Sequence, residues 1–438
     1  MAFVAASPPN EAATIFSVKN RGPVMKRLIV VALICLGTYF ATAQTSVKVA
    51  STLSPAEQSI ERANKIIAVK PNDYEAYNAL ALALSRRARE TSDPAYYMKA
   101  EQALQKSGAI SPGNFDGARI RVWVLLGKHE FAAALDEATR LNKKIPDDVL
   151  IYGFLTDANV ELGRYTDAEK SAQWMLNLRG ANVPSLTRAA YLRELFGDND
   201  GAVELMEMSL RSVSPTEVED RAWITTQLAH LKLASGKLQQ AEELLQQALA
   251  EFPNYHYALG MLAKVRLQQK RYDEAVKLYR QRYLAAPHAE NLYDLAEALE
   301  LAGRHDQAAQ AFAEFERKSL AETARADNSN HELVFYYTDH AKQPQKALEV
   351  AQREFARRQD VFTLDCYAWA LYTNGKYSEA QRQIQRALSV GIRDAKLLRH
   401  AGEIALKVGD TQAAQRYLRQ AAELTAPEST AAHGTHGE

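Results

Sequence analysis

Cysteine is almost missing from this chain: Cys35 and Cys366 are the only two in 438 residues. Cys35 falls in a segment expected to be removed, which leaves Cys366 with no partner for an internal disulfide, so bridges do not hold this fold. An excess of one charge is missing too, with 53 Lys and Arg against 53 Asp and Glu. Nothing is left over to neutralise a phosphate backbone, and nucleic acid is not an expected partner. Pairs such as Arg86-Arg87 and Arg357-Arg358 read as solvated helix faces. No stretch alternates apolar and polar residues with a sustained period of two, so strands are not expected. Catalytic motifs are absent as well. Gly127-Lys128, Gly236-Lys237 and Gly375-Lys376 are followed by His129, Leu238 and Tyr377 rather than Ser or Thr, so none is a phosphate loop. His129-Glu130 and His331-Glu332 lack the second histidine of a zinc helix, with Ala133 and Phe335 in its place. There is no G-x-S-x-G elbow. No enzymatic activity, metal or cofactor is expected.

What the chain does have is an alanine at a nearly fixed interval. It recurs at Ala100, Ala134, Ala168, Ala202, Ala241, Ala275, Ala308, Ala347, Ala380 and Ala414, in steps of 34, 34, 34, 39, 34, 33, 39, 33 and 34 residues. A period near 34 is that of a two-helix repeat. The surroundings repeat as well. Gly236, Leu238, Ala241, Leu245, Ala248 and Pro253 make the clearest copy, and Gly375, Tyr377, Ala380 and Ala387 make another. Glycine ends the first helix because it tolerates the left-handed backbone of a C-cap. Alanine lets two helices cross closely, the residue four positions on shares its face, and proline stops the second helix. First helices carry their own apolar stripe, as in Leu292, Leu295, Ala296 and Leu299. Two copies depart from the pattern: Gly127 stands two residues early, and Gln343 occupies the expected glycine place before Ala347.

These G-x-Y/L-x-x-A segments, such as Gly163-Arg164-Tyr165-Thr166-Asp167-Ala168, resemble the tetratricopeptide repeat family from about Pro55 to Pro427. The resemblance implies an all-α, right-handed superhelical solenoid of about ten helix pairs, of the exported bacterial type. A lone second helix should precede the pairs, roughly Pro55 to Val69. Three longer connections are expected to bulge from the stack: Glu90–Pro94, Ser212–Asp220 and Arg317–Asn330. The last two divide the array into blocks of about 55–212, 217–317 and 328–427, with possible hinges between them. Residues 44–54 read as a linker and 428–438 as a disordered tail. No segment of ~100 residues remains for a separate catalytic domain.

The front end carries an address. Met25-Lys26-Arg27, the thirteen-residue apolar run Leu28–Phe40 and Ala41-Thr42-Ala43 are the three parts of a secretory signal. The run is short of the ~20 residues that span a bilayer, so cleavage after Ala43 is expected rather than an integral span. Translation is expected to begin at Met25 instead of Met1. The mature chain would then be periplasmic or extracellular, with 49 basic and 52 acidic residues.

In the family, first helices line a concave groove. Counting eleven residues back from each alanine places Trp123, Asp157, Tyr191, His230, Lys264, Glu297, Tyr336, Trp369 and Glu403 there. The candidate binding residues are Trp123, Tyr191, His230, Tyr336, Asp365, Trp369 and Tyr372, because Trp and Tyr offer large contact area at low entropy cost. Asn78 and Arg86 are too few to form the family's carboxylate clamp. The resemblance implies a scaffold that binds a peptide or protein partner. The alternatives are an organiser left anchored by an uncleaved signal, and a polysaccharide-binding protein that stacks sugars on the groove aromatics.

Overall fold

The computed structural model describes residues 53–425. The signal segment, its cleavage site, the choice between Met1 and Met25, and the tail lie outside the described residues. Within them every regular element is helical. Helix α1 (Pro55–Val69) stands alone, entered through a capping box in which Ser54 and Glu57 satisfy each other's backbone N–H groups. Ten pairs follow it. The first five are α2 (Tyr74–Thr91) with α3 (Ala95–Ile110), α4 (Phe115–Gly127) with α5 (Phe131–Lys144), α6 (Val149–Glu161) with α7 (Tyr165–Leu178), α8 (Val183–Leu195) with α9 (Asn199–Ser212), and α10 (Val218–Ala234) with α11 (Leu238–Glu251). The next three are α12 (His256–Gln268) with α13 (Tyr272–Ala285), α14 (Ala289–Leu301) with α15 (His305–Glu322), and α16 (Asn330–Phe335) with α17 (Pro344–Phe355). The last two are α18 (Val361–Thr373) with α19 (Tyr377–Leu388), and α20 (Ala395–Lys407) with α21 (Thr411–Thr425).

All ten register alanines lie on the second helices and are at most 3% exposed. A Cβ is all the helix crossing admits, and this is why the interval survives along the whole array. The turn between the two helices of each pair has one left-handed residue. Six are glycines: Gly163, Gly197, Gly236, Gly303, Gly375 and Gly409. The others are Ser92, His129, Lys270 and Lys342, with φ between 53° and 59°. The glycine-equivalent residue before Ala347 is therefore Lys342 and not Gln343, whose φ is −115°. Gly127 is not a turn residue: it ends α4 against the Tyr97 ring, where a Cβ would meet Cζ at 2.2 Å.

The superhelix is wound tightly enough for one turn to touch the next. The Gln359 N–H donates to the Glu161 carbonyl at 3.0 Å, and the Val361 N–H donates to the Tyr165 hydroxyl at 2.9 Å, across 196 residues. Arg358 lies 3.5 Å from the Glu161 carboxylate. Gly197 and Gly391 bring two backbones together, and a Cβ on Gly197 would sit 2.6 Å from the Gly391 oxygen. Arg89, at the end of α2, donates to Glu219 at 3.0 Å and to Asp220 at 2.5 Å. The His256 imidazole meets the Arg89 carbonyl at 3.0 Å.

The three longer connections sit on this seam instead of bulging outward. Glu90, Glu219, Asp220, Asn328, Ser329 and Asn330 are all buried. Ser92 and Pro94 of the first connection and Asp327 and Asn328 of the third line one chamber of about 90 Å³ with His129 and His288. Part of the third insertion prolongs α15 to Glu322, and the rest folds inward, with Asn330 donating to Glu354 at 2.9 Å. Surplus residues in these connections complete contacts that the repeat itself cannot reach.

Candidate functional site

Closure of the coil leaves a cavity of about 620 Å³ between two superhelical turns. The first helices α8, α10 and α12 form one wall. The other comes from the next turn: Phe362 on α18, Ile392, Arg393 and Asp394 before α20, and Glu423 and Leu424 at the end of α21. Local capping fixes these helix starts. Asn182 accepts from the Ser185 N–H at 3.0 Å to open α8, and Asp394 accepts from the Leu397 N–H at 2.8 Å to open α20.

Three of the positions counted onto the groove, Tyr191, His230 and Lys264, line this cavity, the first two of them candidate binding residues. Their neighbours follow helical spacing: Trp223, Gln227 and His230 on α10, and Tyr257, Met261 and Lys264 on α12, each at i, i+4 and i+7. The His230 Nε2 and the Glu194 carboxylate lie 2.6 Å apart. Burial opposes a charge on His230, but the Glu194 carboxylate outweighs it and leaves the imidazole pKa above its ordinary value. Burial, helped by the Glu161 and Asp360 carboxylates, pushes the Tyr191 phenol well up, so it stays neutral.

The other expected residues lie elsewhere. Trp123, at 3% exposure, fills a core cluster with Leu126, Phe131 and Ile151 and offers no face to a partner. Asp157, the next position in that register, holds Arg188 through two contacts of 2.8 and 2.6 Å. Gly153 leaves room for that guanidinium, whose Cζ would lie 2.9 Å from an added Cβ. Asp365 is buried against the His400 Nδ1 at 2.8 Å, so it braces α18 to α20 instead of facing a groove. Trp369 is sandwiched between Tyr372 and His400, with ring centroids 4.7 and 4.1 Å away, and its Nε1–H donates to Asp339 at 2.8 Å. Tyr336 opens a π-helical turn, Tyr336–His340, and stacks on Phe312 at 5.4 Å. In that widened turn His340 faces Glu300 at 2.9 Å and Glu297 at 3.5 Å.

The residues missed by counting were Trp223, Tyr257, Met261, Phe362 and Arg393. The first three carried a signal, since they lie seven or three residues before a marked position on the same helix face. Phe362, seven residues before Trp369 on α18, carried the same signal, but nothing local showed that it would arrive from the following turn, and Arg393 carried none.

Burial pushes the Cys366 thiol well above its ordinary pKa and keeps it neutral. Among the described residues no group of three His, Cys, Asp or Glu could hold a metal ion, and no helix is long and apolar enough to cross a membrane.

The family profiles of the tetratricopeptide repeat match residues 232–288, 261–322 and 368–429. The chain carries tetratricopeptide repeats. No curated protein matches it in sequence. Among solved structures, the human IFIT1 dimer with PPP-AAAA is similar, at 14% identity over 86% of this chain and 96% of that one, with a TM-score of 0.48. An IFIT1 monomeric mutant with Gppp-AAAA is 13% identical over 85% of this chain and 96% of that one, with a TM-score of 0.49. PilW, a widely conserved type IV pilus biogenesis factor, is 13% identical over 47% of this chain and 94% of its own, with a TM-score of 0.40. Tetratricopeptide solenoids present extended surfaces for protein–protein interaction, and this chain is built as such a scaffold.

Proposed function

We propose that this tetratricopeptide protein is a non-enzymatic scaffold working outside the cytoplasm, where it holds a protein or peptide partner in envelope assembly, secretion or polysaccharide export. The observation that carries the partner-binding part is the convergence of three first-helix faces on one roomy cavity, rimmed by exposed side chains. The export part rests on Met25-Lys26-Arg27, Leu28–Phe40 and the Ala41-Thr42-Ala43 site. Tyr191 and His230 are the contact residues of this reading, while Trp123, Tyr336, Asp365, Trp369 and Tyr372 brace the coil. Sugar stacking is less well supported, since it needs a free aromatic face, and both faces of Trp369 are occupied.

A photo-crosslinking residue at Gln227, expressed in cells that are then fractionated, tests both parts. The expected result is a soluble envelope-fraction protein beginning at Gln44 and crosslinked to a discrete partner band. A chain that stays in the cytoplasm, or crosslinks no more from Gln227 than from the convex residue Gln246, would overturn it.

A further inference from the structure

The cavity between turns is a selective site, and its side chains indicate what it takes. Its floor is apolar and aromatic, built from Tyr191, Trp223, Tyr257, Met261, Phe362 and Ile392. Its volume of about 620 Å³ suits a few side chains and not a folded domain. Most of its carboxylates are already engaged. Glu194 faces His230 at 2.6 Å, Asp198 accepts from the Gly201 N–H at 2.9 Å and pairs with Arg193, and Asp394 caps α20. Two lining cations, Lys264 on α12 and Arg393 before α20, are exposed and have no hydrogen bond or ion pair among the described residues. They come from opposite walls, one from each superhelical turn. Asp200 and Glu423, exposed at the rim, carry the opposite sign. This balance disfavours a polyanion, which would meet both, and suits an isolated carboxylate set among apolar groups.

We infer that the cavity grips a short peptide segment of the partner in which an acidic side chain is flanked by aliphatic or aromatic ones, its carboxylate held between Lys264 and Arg393 across the seam. The inference rests on the scaffold reading above and names the chemistry of the segment that scaffold would hold. Binding there bridges the two turns, so the ligand also ties the coil shut.

The test uses the full chain and fluorescence anisotropy of labelled hexapeptides in which leucines flank a single glutamate, glutamine or lysine. The glutamate peptide is expected to bind about tenfold more tightly than the glutamine one, the usual scale for a partly desolvated charge pair. Lys264→Glu with Arg393→Glu should erase that preference and favour the lysine peptide, with helicity and melting unchanged because both residues are exposed and unpaired. Met261→Trp, which fills the cavity without altering its charge, should weaken all three peptides. Equal binding of the three peptides to the wild-type chain, or a glutamate preference that survives the double charge reversal, would overturn the inference. If the Gln227 crosslink to the cellular partner persists in the double reversal, the scaffold reading stands and this assignment alone falls.

Discussion

The crossing inside each helix pair and the seam between superhelical turns are held by different kinds of residue. The crossing uses one small apolar side chain, repeated ten times and always buried. The seam uses charged and polar side chains that occur once each: Arg89 with Glu219 and Asp220, Arg358 with Glu161, Tyr165 with the Val361 backbone. The crossing joins neighbours about a dozen residues apart, while the seam joins residues 130 and 196 apart. A repeat can be copied along a chain, but a contact between distant turns depends on the accumulated rotation of several repeats. Each seam contact is therefore solved separately, in a connection or a helix end where the repeat is not constrained.

The largest effect should come from breaking the seam at its most buried charge. Arg89→Ala takes the guanidinium away from Glu219 and Asp220, which are 8% and 6% exposed, and leaves Glu219 the Tyr255 hydroxyl at 2.7 Å. Loss of one partner of a buried pair costs about 3–5 kcal/mol while the site stays closed. A lower melting temperature with a larger radius of gyration in small-angle scattering would mean the turns part to hydrate these carboxylates. Unchanged melting and radius would show that the turns are not joined there in solution.

Breaking the crossing should cost somewhat less. Ala241→Leu places three extra carbons where the alanine is fully buried. Overpacking of that kind costs about 1–3 kcal/mol, with the radius of gyration nearly unchanged. A neutral outcome in denaturant melts would mean that the alanine register does not mark the helix crossings.

The smallest effect separates backbone strain from the seam. Gly197 and Gly409 have nearly the same left-handed φ, 81° and 83°. A Cβ on Gly409 meets nothing within 4 Å, whereas one on Gly197 meets the Gly391 oxygen at 2.6 Å. Gly409→Ala should cost about 1 kcal/mol, the left-handed penalty alone, and Gly197→Ala distinctly more. Equal losses would mean that the seam yields without resistance at that point.

Much of the fold was legible beforehand because the repeat is local. The alanine interval, the helix-ending glycines and the lone first helix follow from contacts a few residues long, and α1 spans the residues expected of it, Pro55–Val69. Gln343 stands four residues before Ala347, whereas the turn glycines stand five before their alanines, and Lys342 fills that place without a glycine to mark it. The candidate site was legible by half. Tyr191 and His230 lay on the face that counting marks, and Trp223, Tyr257 and Met261 were within reach of the same count. Trp123 satisfied the count and Asp365 lay on the face that Trp369 marks, and both are buried all the same, since helix phase gives direction but not what stands opposite.

The amino-acid sequence alone determined the helix pairs, their number and the small residue at each crossing, because those depend on backbone preferences and short-range packing. Only the tertiary structure decided that the coil would close on itself, that the long connections would become its fastenings, and that Lys264 and Arg393 would face each other's walls across one cavity. The reason is geometric. Small rotations between successive repeats add up over a full turn, and no local pattern of residues records their sum.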